Sequence, residues 1–155
     1  MLVVAVLAVV GSTPAAARGK PANLALVDAA ATQALVARAT SLSEKLFSYD
    51  YRDLAGHERR VEELSTGHFK DRYRELFSAV LDAAPAEKLT LSSTVVAAAA
   101  QELTGDRAKV LAYLDQTATR GATGASTTGA AMFLLSLRQV DGQWLASEID
   151  TFEGR

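Results

Sequence analysis

The stretch KLTLSSTVVAAAAQELTGDRAKVLAYLDQTAT, residues 88–119, decides the fold, because the apolar pattern of the chain changes its period there. Apolar and polar residues alternate from Leu89 to Ser92, which is typical of a half-buried strand. The residues TGDR at 104–107 then supply turn chemistry. The stretch therefore predicts two antiparallel strands joined by a tight turn. Their expected ranges are 88–103 and 109–119.

Two further strands are predicted downstream, as AMFLLSLRQV at 131–140 and QWLASEIDTF at 143–152. Between them, Asp141 and Gly142 form a pair that strongly favours a two-residue type I′ hairpin. The segment RGATGASTTGA at 120–130 is small and polar, and it predicts a flexible loop. The chain is therefore expected to contain four antiparallel strands.

Three helices are predicted upstream. Apolar residues recur at near-helical spacing over 23–48, with no proline or glycine in the interval. Asp50 is expected to cap a second helix that runs to Leu64. The third helix, at about 66–84, has the best amphipathic pattern, and Pro85 is expected to end it. Three helices followed by four antiparallel strands indicate an α+β domain, in which a curved sheet wraps the long helix.

The composition excludes several classes of function. A net charge of -2 over 155 residues gives no basic surplus for binding nucleic acid. The absence of cysteine removes disulfides, thiolate catalysis and cysteine-bound metals. The two histidines, His57 and His68, lie in no metal-binding motif, and both are expected to be solvated at the surface. No cofactor and no metal ion are therefore expected.

The first ten residues, MLVVAVLAVV, form an apolar run that is too short for a bilayer, which takes about 20 residues. With the small residues that follow, the segment 1–17 is typical of a signal peptide or of a truncated membrane anchor. A third interpretation makes the run a buried element of the domain. The first two interpretations place the remainder, 18–155, outside the cytoplasmic membrane as a single α+β domain.

The segment FSYDYRDL at 47–54 contains groups that are capable of chemistry. A tyrosine–aspartate pair could serve in acid–base catalysis. Adjacent residues point in different directions, however, so the side chains from Tyr49 to Arg52 are not expected to converge on one substrate atom. The favoured interpretation is a corner between two helices, in which Asp50 caps a helix and the tyrosine rings pack inward.

Asp115 is a second candidate for chemistry. It alternates with Leu111 and Tyr113 on one face of its predicted strand. If that face is the concave one, Asp115 could act as a general base beside an apolar wall, with Tyr113 as a hydrogen-bond donor. The favoured alternative is an aspartate near the end of a strand that leans into solvent.

Four segments together resemble the Mce-associated membrane proteins of actinobacteria. They are SLSEKLFSYDYRDL (41–54), LSTGHFKDRYRELF (64–77), TVVAAAAQELTGDRAKVLAYLDQTAT (94–119) and VDGQWLASEIDTF (140–152). The most telling parts are the Ser-Tyr-Asp-Tyr-Arg corner, the Thr-Gly-x-Phe start of the third helix and the closing Asp-Gly-x-Trp-Leu strand. The resemblance runs from about Leu42 to Phe152.

The resemblance implies an extracytoplasmic domain with the cystatin-like cone of the nuclear transport factor two fold, tethered to the cell membrane by one helix. It further implies a non-catalytic accessory or stabilising subunit of an Mce-type lipid or sterol import system. Other subunits of that transporter would be its partners, and a lipid ligand is left open. The residues expected to shape the domain or its contacts are Tyr49, Asp50, Tyr51, Arg52, Phe69, Tyr73 and Trp144.

The sequence departs from that family in two places. The anchor is short, and Asp115 stands where the family's strand suggests a neutral amide. Two rival functions stay open: a cone-fold enzyme of the isomerase or dehydratase kind that uses Asp115 and Tyr113, and passive binding of lipid in the cone. The tethered periplasmic scaffold of type IV secretion is a further analogy, at the level of the fold only.

Overall fold

The computed structural model describes residues 22–152, in which three helices lie against one curled antiparallel sheet. The predicted α+β class is confirmed. The helices are α1 (Ala29–Leu46), α2 (Leu54–Leu64) and α3 (Phe69–Glu87). The strands are β1 (Tyr49–Asp50), β2 (Leu89–Thr104), β3 (Arg107–Arg120), β4 (Ala125–Val140) and β5 (Gln143–Asp150). The expected signal peptide or anchor at 1–17 lies outside the described residues.

The sheet has five strands in the order β1-β2-β3-β4-β5, so the prediction of four strands is wrong. The additional strand is β1, in which Tyr49 pairs with Leu91 and Asp50 with Thr90. Two residues are too few to produce an alternating pattern, which is why the sequence gives no signal for this strand. Register shifts in β2, at Val95/Ala97 and Ala100/Glu102, are β-bulges of the kind that bend a sheet around a core.

The predicted loop at 120–130 is also wrong, because β4 already begins at Ala125 and only a short turn separates it from β3. Thr119 pairs with Ser126, and their hydroxyl oxygens lie 2.8 Å apart. Both faces of β4 are exposed in this part of the hairpin. Because neither face is buried, the sequence here shows no alternation of apolar and polar residues that would indicate a strand. The type I′ hairpin between β4 and β5 is confirmed, with φ of 49° at Asp141 and 78° at Gly142.

The long helix begins later than predicted. Asn23 starts a separate 3-10 turn over Leu24–Leu26, and α1 starts after Asp28, whose carboxylate accepts a hydrogen bond from the Ala31 N–H at 2.9 Å. Its buried stripe follows helical spacing and consists of Leu35, Ala39, Leu42, Ser43 and Leu46.

Two predicted helix boundaries need correction. Asp50 caps a 3-10 turn over Tyr51–Asp53, whereas Asp53 is the residue that caps α2, by accepting a hydrogen bond from the Gly56 N–H at 3.0 Å. Pro85 does not end α3, which continues through it to Glu87. A proline removes one helical N–H, yet the helix continues for two residues beyond it, and Ala84 beside it is fully buried.

The interior of the cone is formed by the concave face of the sheet and the helices. The inward side chains of β3 are small or branched: Ala108, Val110, Ala112 and Leu114. Phe133 from β4 is buried among them, and Trp144 from β5 packs half-buried against the same core. Within residues 22–152, no helix combines the length and the apolarity needed to cross a membrane.

Candidate interaction surface

Aromatic side chains fill the space between the sheet and the helices. Phe47, at the end of α1, lies at the centre of this cluster: its ring centroid is 4.6 Å from that of Phe133 and 5.7 Å from that of Phe77. Tyr73 and Phe69 complete the cluster at 6.1 and 6.4 Å from Phe47. Such spacings are ordinary for packed aromatic pairs, so this part of the interior is a core.

His57 contradicts the expectation of a solvated surface histidine, because only 1% of it is exposed. Its Nε2 lies 2.6 Å from the Tyr73 hydroxyl oxygen, and that hydroxyl lies 3.1 Å from the Leu46 carbonyl oxygen, to which it donates. The Tyr73 hydroxyl has one proton, and the histidine tautomer sets whether Nε2 donates to the tyrosine oxygen or accepts from it. Nδ1 has no hydrogen-bond partner in the described structure. His68, in contrast, is exposed as predicted.

The His57–Tyr73 pair is held in its neutral form. Burial is the main cause that lowers the pKa of His57, and the positive charge of Arg60 adds to it. Burial likewise raises the pKa of Tyr73 above its usual range. Both side chains lie inside the packed core, where a substrate has no access, so the pair is suited to positioning helices rather than to proton transfer.

The segment from Tyr49 to Arg52 forms the junction between α1 and α2. Tyr49 is buried with Ala84 in a small second cluster. The Asp50 carboxylate binds the Arg52 guanidinium, and this contact holds the pKa of Asp50 at about 2. The guanidinium carbon also lies 5.9 Å from the centre of the Tyr51 ring, within reach of a cation–π contact.

Asp115 and Tyr113 do not face the interior, so the condition for the general-base hypothesis is not met. The period of two in β3 directs its even-numbered side chains from Ala108 to Leu114 into the core. Tyr113 and Asp115 are odd-numbered and therefore point to the opposite, outer face, where 45% of Tyr113 is exposed. Asp115 borders a shallow cavity of about 320 Å³ on that side.

The outer face contains a contiguous group of apolar side chains across three strands. Tyr113 lies between its cross-strand neighbours Met132 on β4 and Ala97 on β2. The next row in the same direction has Leu111 between Leu134 and Ala99. We call this set the outer-face patch; its members are Ala97, Ala99, Leu111, Tyr113, Met132 and Leu134.

The outer-face patch is exposed although it lies near the middle of the sheet. Met132 is 39% exposed and Tyr113 45%, while Leu111 and Leu134 are half-buried. Its charged neighbours are Asp115 at one end and Lys109 at the other, where the Lys109 amine is 3.8 Å from the Glu102 carboxylate. The sequence does contain a signal for the patch, because β3 is apolar at odd as well as even positions from Val110 to Leu114.

A second cavity, of about 460 Å³, crosses the outer surface nearer the turns. Hydroxyl groups and charges of both signs line it; the cations are Arg107, Lys109 and Arg138, and the anions are Glu102 and Glu148. Neither cavity offers an enclosed apolar site. Among residues 22–152, no group of acidic or histidine side chains is arranged to hold a metal ion.

The chain has curated relatives in Mycobacterium tuberculosis. It is 32% identical over 130 residues to outer membrane protein Rv1973, and the match covers 79% of this chain and 81% of that protein. The chain belongs to the family of this mycobacterial protein. The uncharacterized protein Rv1362c is similar as well, at 30% identity over 122 residues, which covers 78% of this chain and 56% of that protein. No family model matches the chain.

Solved structures show where else this fold occurs. An IcmL-like type IV secretion system protein of Legionella pneumophila superposes with a TM-score of 0.67 at 8% identity, over 76% of this chain and 89% of that one. The periplasmic domain of DotI gives a TM-score of 0.65 at 16% identity, over 76% of this chain and 92% of that one. At such low identities, these similarities show that the chain shares the fold of these domains.

Proposed function

We propose that the protein is a non-catalytic accessory subunit of an Mce-type lipid or sterol import system. Its N-terminal segment would tether it to the cell membrane, with the described domain on the extracytoplasmic side. Support comes from the sequence resemblance to Mce-associated proteins and from a relative that is named as an outer membrane protein. Similar folds in periplasmic domains of secretion systems agree with a contact role in a membrane assembly.

The single observation behind this proposal is the filled interior of the cone. An enzyme or a lipid carrier built on this fold needs an enclosed apolar space for its ligand. Phe47 and its aromatic neighbours occupy the region between sheet and helices, with ring centroids as close as 4.6 Å. The proposal therefore takes the outer surface as the part of the domain that acts, by contact with other subunits.

The surface that we assign to this contact is the outer-face patch. Contiguous exposed apolar side chains on a sheet face are typical of sites where proteins associate. The Tyr113 ring supplies a large anchor at the centre of such an interface, and Met132 beside it adapts its shape to a partner. Charged rim residues such as Lys109 and Asp115 would then affect the rate of association more than its strength.

Deletion of the gene in its host tests the proposal. The expected result is a lower steady-state level of the cognate transporter subunits, seen by immunoblot, together with reduced uptake of a labelled fatty acid or sterol. Reintroduction of the wild-type gene should restore both. Unchanged subunit levels and unchanged uptake in the deletion strain would contradict an accessory role.

A further inference from the structure

The point where the N-terminal segment leaves the domain is fixed by Asn23. Its side-chain amide donates to the Gln101 carbonyl oxygen at 2.9 Å, and its Oδ1 accepts from the Leu103 N–H at 2.9 Å. These two residues lie at the end of β2 beside the β2–β3 turn. The described part of the chain therefore begins at that end of the sheet.

Exposed apolar side chains cluster directly after this point. Leu26 is 84% exposed and Val27 76%, and Leu24 is 37% exposed, while Ala25 between them packs against the core. These three are among eight large apolar side chains that are exposed in residues 22–152, and Leu26 and Val27 are the most exposed of all. The packing of the domain does not explain why two large apolar side chains, Leu26 and Val27, are exposed so close to Asn23.

We propose that this end of the domain faces the bilayer and that Leu26 and Val27 insert into the boundary between headgroups and acyl chains. The inference rests on the proposed membrane attachment through the N-terminal segment. Leu26 is nine residues after Ala17, so it lies within about 30 Å of the end of that segment even if the chain between them is fully extended. Aliphatic side chains in this position bind an interface through the apolar area that they bury there.

The charges at this end of the domain decide what kind of lipid contact is formed. The β4–β5 turn lies beside the β2–β3 turn, since the Gln139 N–H donates to the Asp106 carbonyl oxygen at 2.8 Å. Charged side chains in and beside the two turns are of both signs: Glu102, Asp106, Arg107, Lys109, Arg138 and Asp141. The three cations and three anions of the two turns balance, so the turns add no attraction to anionic lipid, and the contact made by Leu26 and Val27 is apolar.

Single-cysteine labelling of the full chain tests the orientation, because the sequence contains no native cysteine. Val27→Cys and Val80→Cys, each labelled with an environment-sensitive fluorophore, are reconstituted into phosphatidylcholine vesicles that contain brominated acyl chains. Val80 is the matched control: it is an exposed valine, at 42%, on the part of α3 that leads towards Lys88 and the β3–β4 turn at the opposite end of the sheet. The expected result is that the brominated lipid quenches the emission of the label at position 27 and leaves the emission of the label at position 80 unchanged.

The outcomes separate this inference from the proposal on which it rests. Protein that floats with the vesicles but keeps its emission at position 27, or loses it equally at both positions, overturns the orientation. Protein that does not float with vesicles contradicts the membrane attachment itself. Replacement of half the phosphatidylcholine by phosphatidylglycerol should leave the quenching at position 27 unchanged, and a strong increase would overturn the apolar nature of the contact.

Discussion

The buried histidine predicts that the fold is destabilised by mild acid. Only 1% of His57 is exposed, its Nδ1 has no hydrogen-bond partner, and protonation would place a charge in the core. Burial lowers its pKa below the ordinary value of 6.5, and the nearby Arg60 lowers it further. The Ser48 backbone and the carboxylates of Glu58 and Asp53 act in the opposite direction but do not reverse the shift.

The sign and the size of the effect follow from proton linkage. Below pH 6.5, the unfolded chain takes up a proton at His57 that the folded chain does not bind, so acid favours the unfolded state. The free energy of unfolding therefore falls from pH 6.5 down to the folded-state pKa, with a slope of up to about 1.4 kcal/mol per pH unit. Above pH 6.5 this contribution is fully present and constant. Asp50, with a pKa of about 2, does not titrate in this window.

Urea unfolding at a series of pH values between about 7.5 and 5 measures this slope. The chain provides its own control, since His68 is the only other histidine and is exposed. The wild-type protein and His68→Gln should lose stability together as the pH falls. His57→Gln should be less stable at pH 7.5 but should show a much flatter dependence on pH. An equal slope in His57→Gln, or no slope in the wild type, would show that burial of His57 does not cause the sensitivity to acid.

Four further variants test the aromatic cluster, the cap of α2 and the outer-face patch. Phe47→Ala should cost about 3–5 kcal/mol in urea unfolding, because it empties the centre of the aromatic cluster, and a near-neutral result would contradict the filled interior. Asp53→Ala should cost about 1 kcal/mol by removing the cap of α2. Asp50→Ala, which leaves that cap in place, should cost less, and the reverse order would restore the boundary first predicted from the sequence. Tyr113→Ala with Met132→Ala should cost no more than about 1 kcal/mol in stability, yet should reduce co-purification of transporter subunits from the host membrane.

Strong local patterns were enough to predict most of the fold. The alternation after Leu89, the turn at 104–107 and the Asp141–Gly142 hairpin are each determined by neighbouring residues, and the structure contains all three. The elements that were missed depend on distant partners. β1 exists because its two residues pair with Leu91 and Thr90. The part of α3 around Pro85 carries the buried Ala84, which packs with Tyr49 and Leu89 from outside the helix.

In the candidate site as well, the features determined by neighbouring residues could be predicted, and those that depend on distant partners could not. Alternation predicted correctly that Tyr113 and Asp115 share a face, but which face is concave depends on how the whole sheet curls around α1. His57 lies in the polar run AGHERRV, where only its spacing of four residues from Val61 indicates the buried side of α2. Its partner Tyr73 is sixteen residues away on another helix, so their hydrogen bond could not be inferred from the sequence.

Complementation of a deletion strain tests most directly whether the protein acts by contact through its outer face or by chemistry at Asp115. The deletion strain would receive wild-type protein, Asp115→Asn, or Tyr113→Ala with Met132→Ala, and uptake of a labelled lipid would be measured at equal protein levels. We expect Asp115→Asn to restore uptake fully, whereas the double variant, although folded, should not. Loss of uptake with Asp115→Asn and full restoration by the double variant would contradict this expectation.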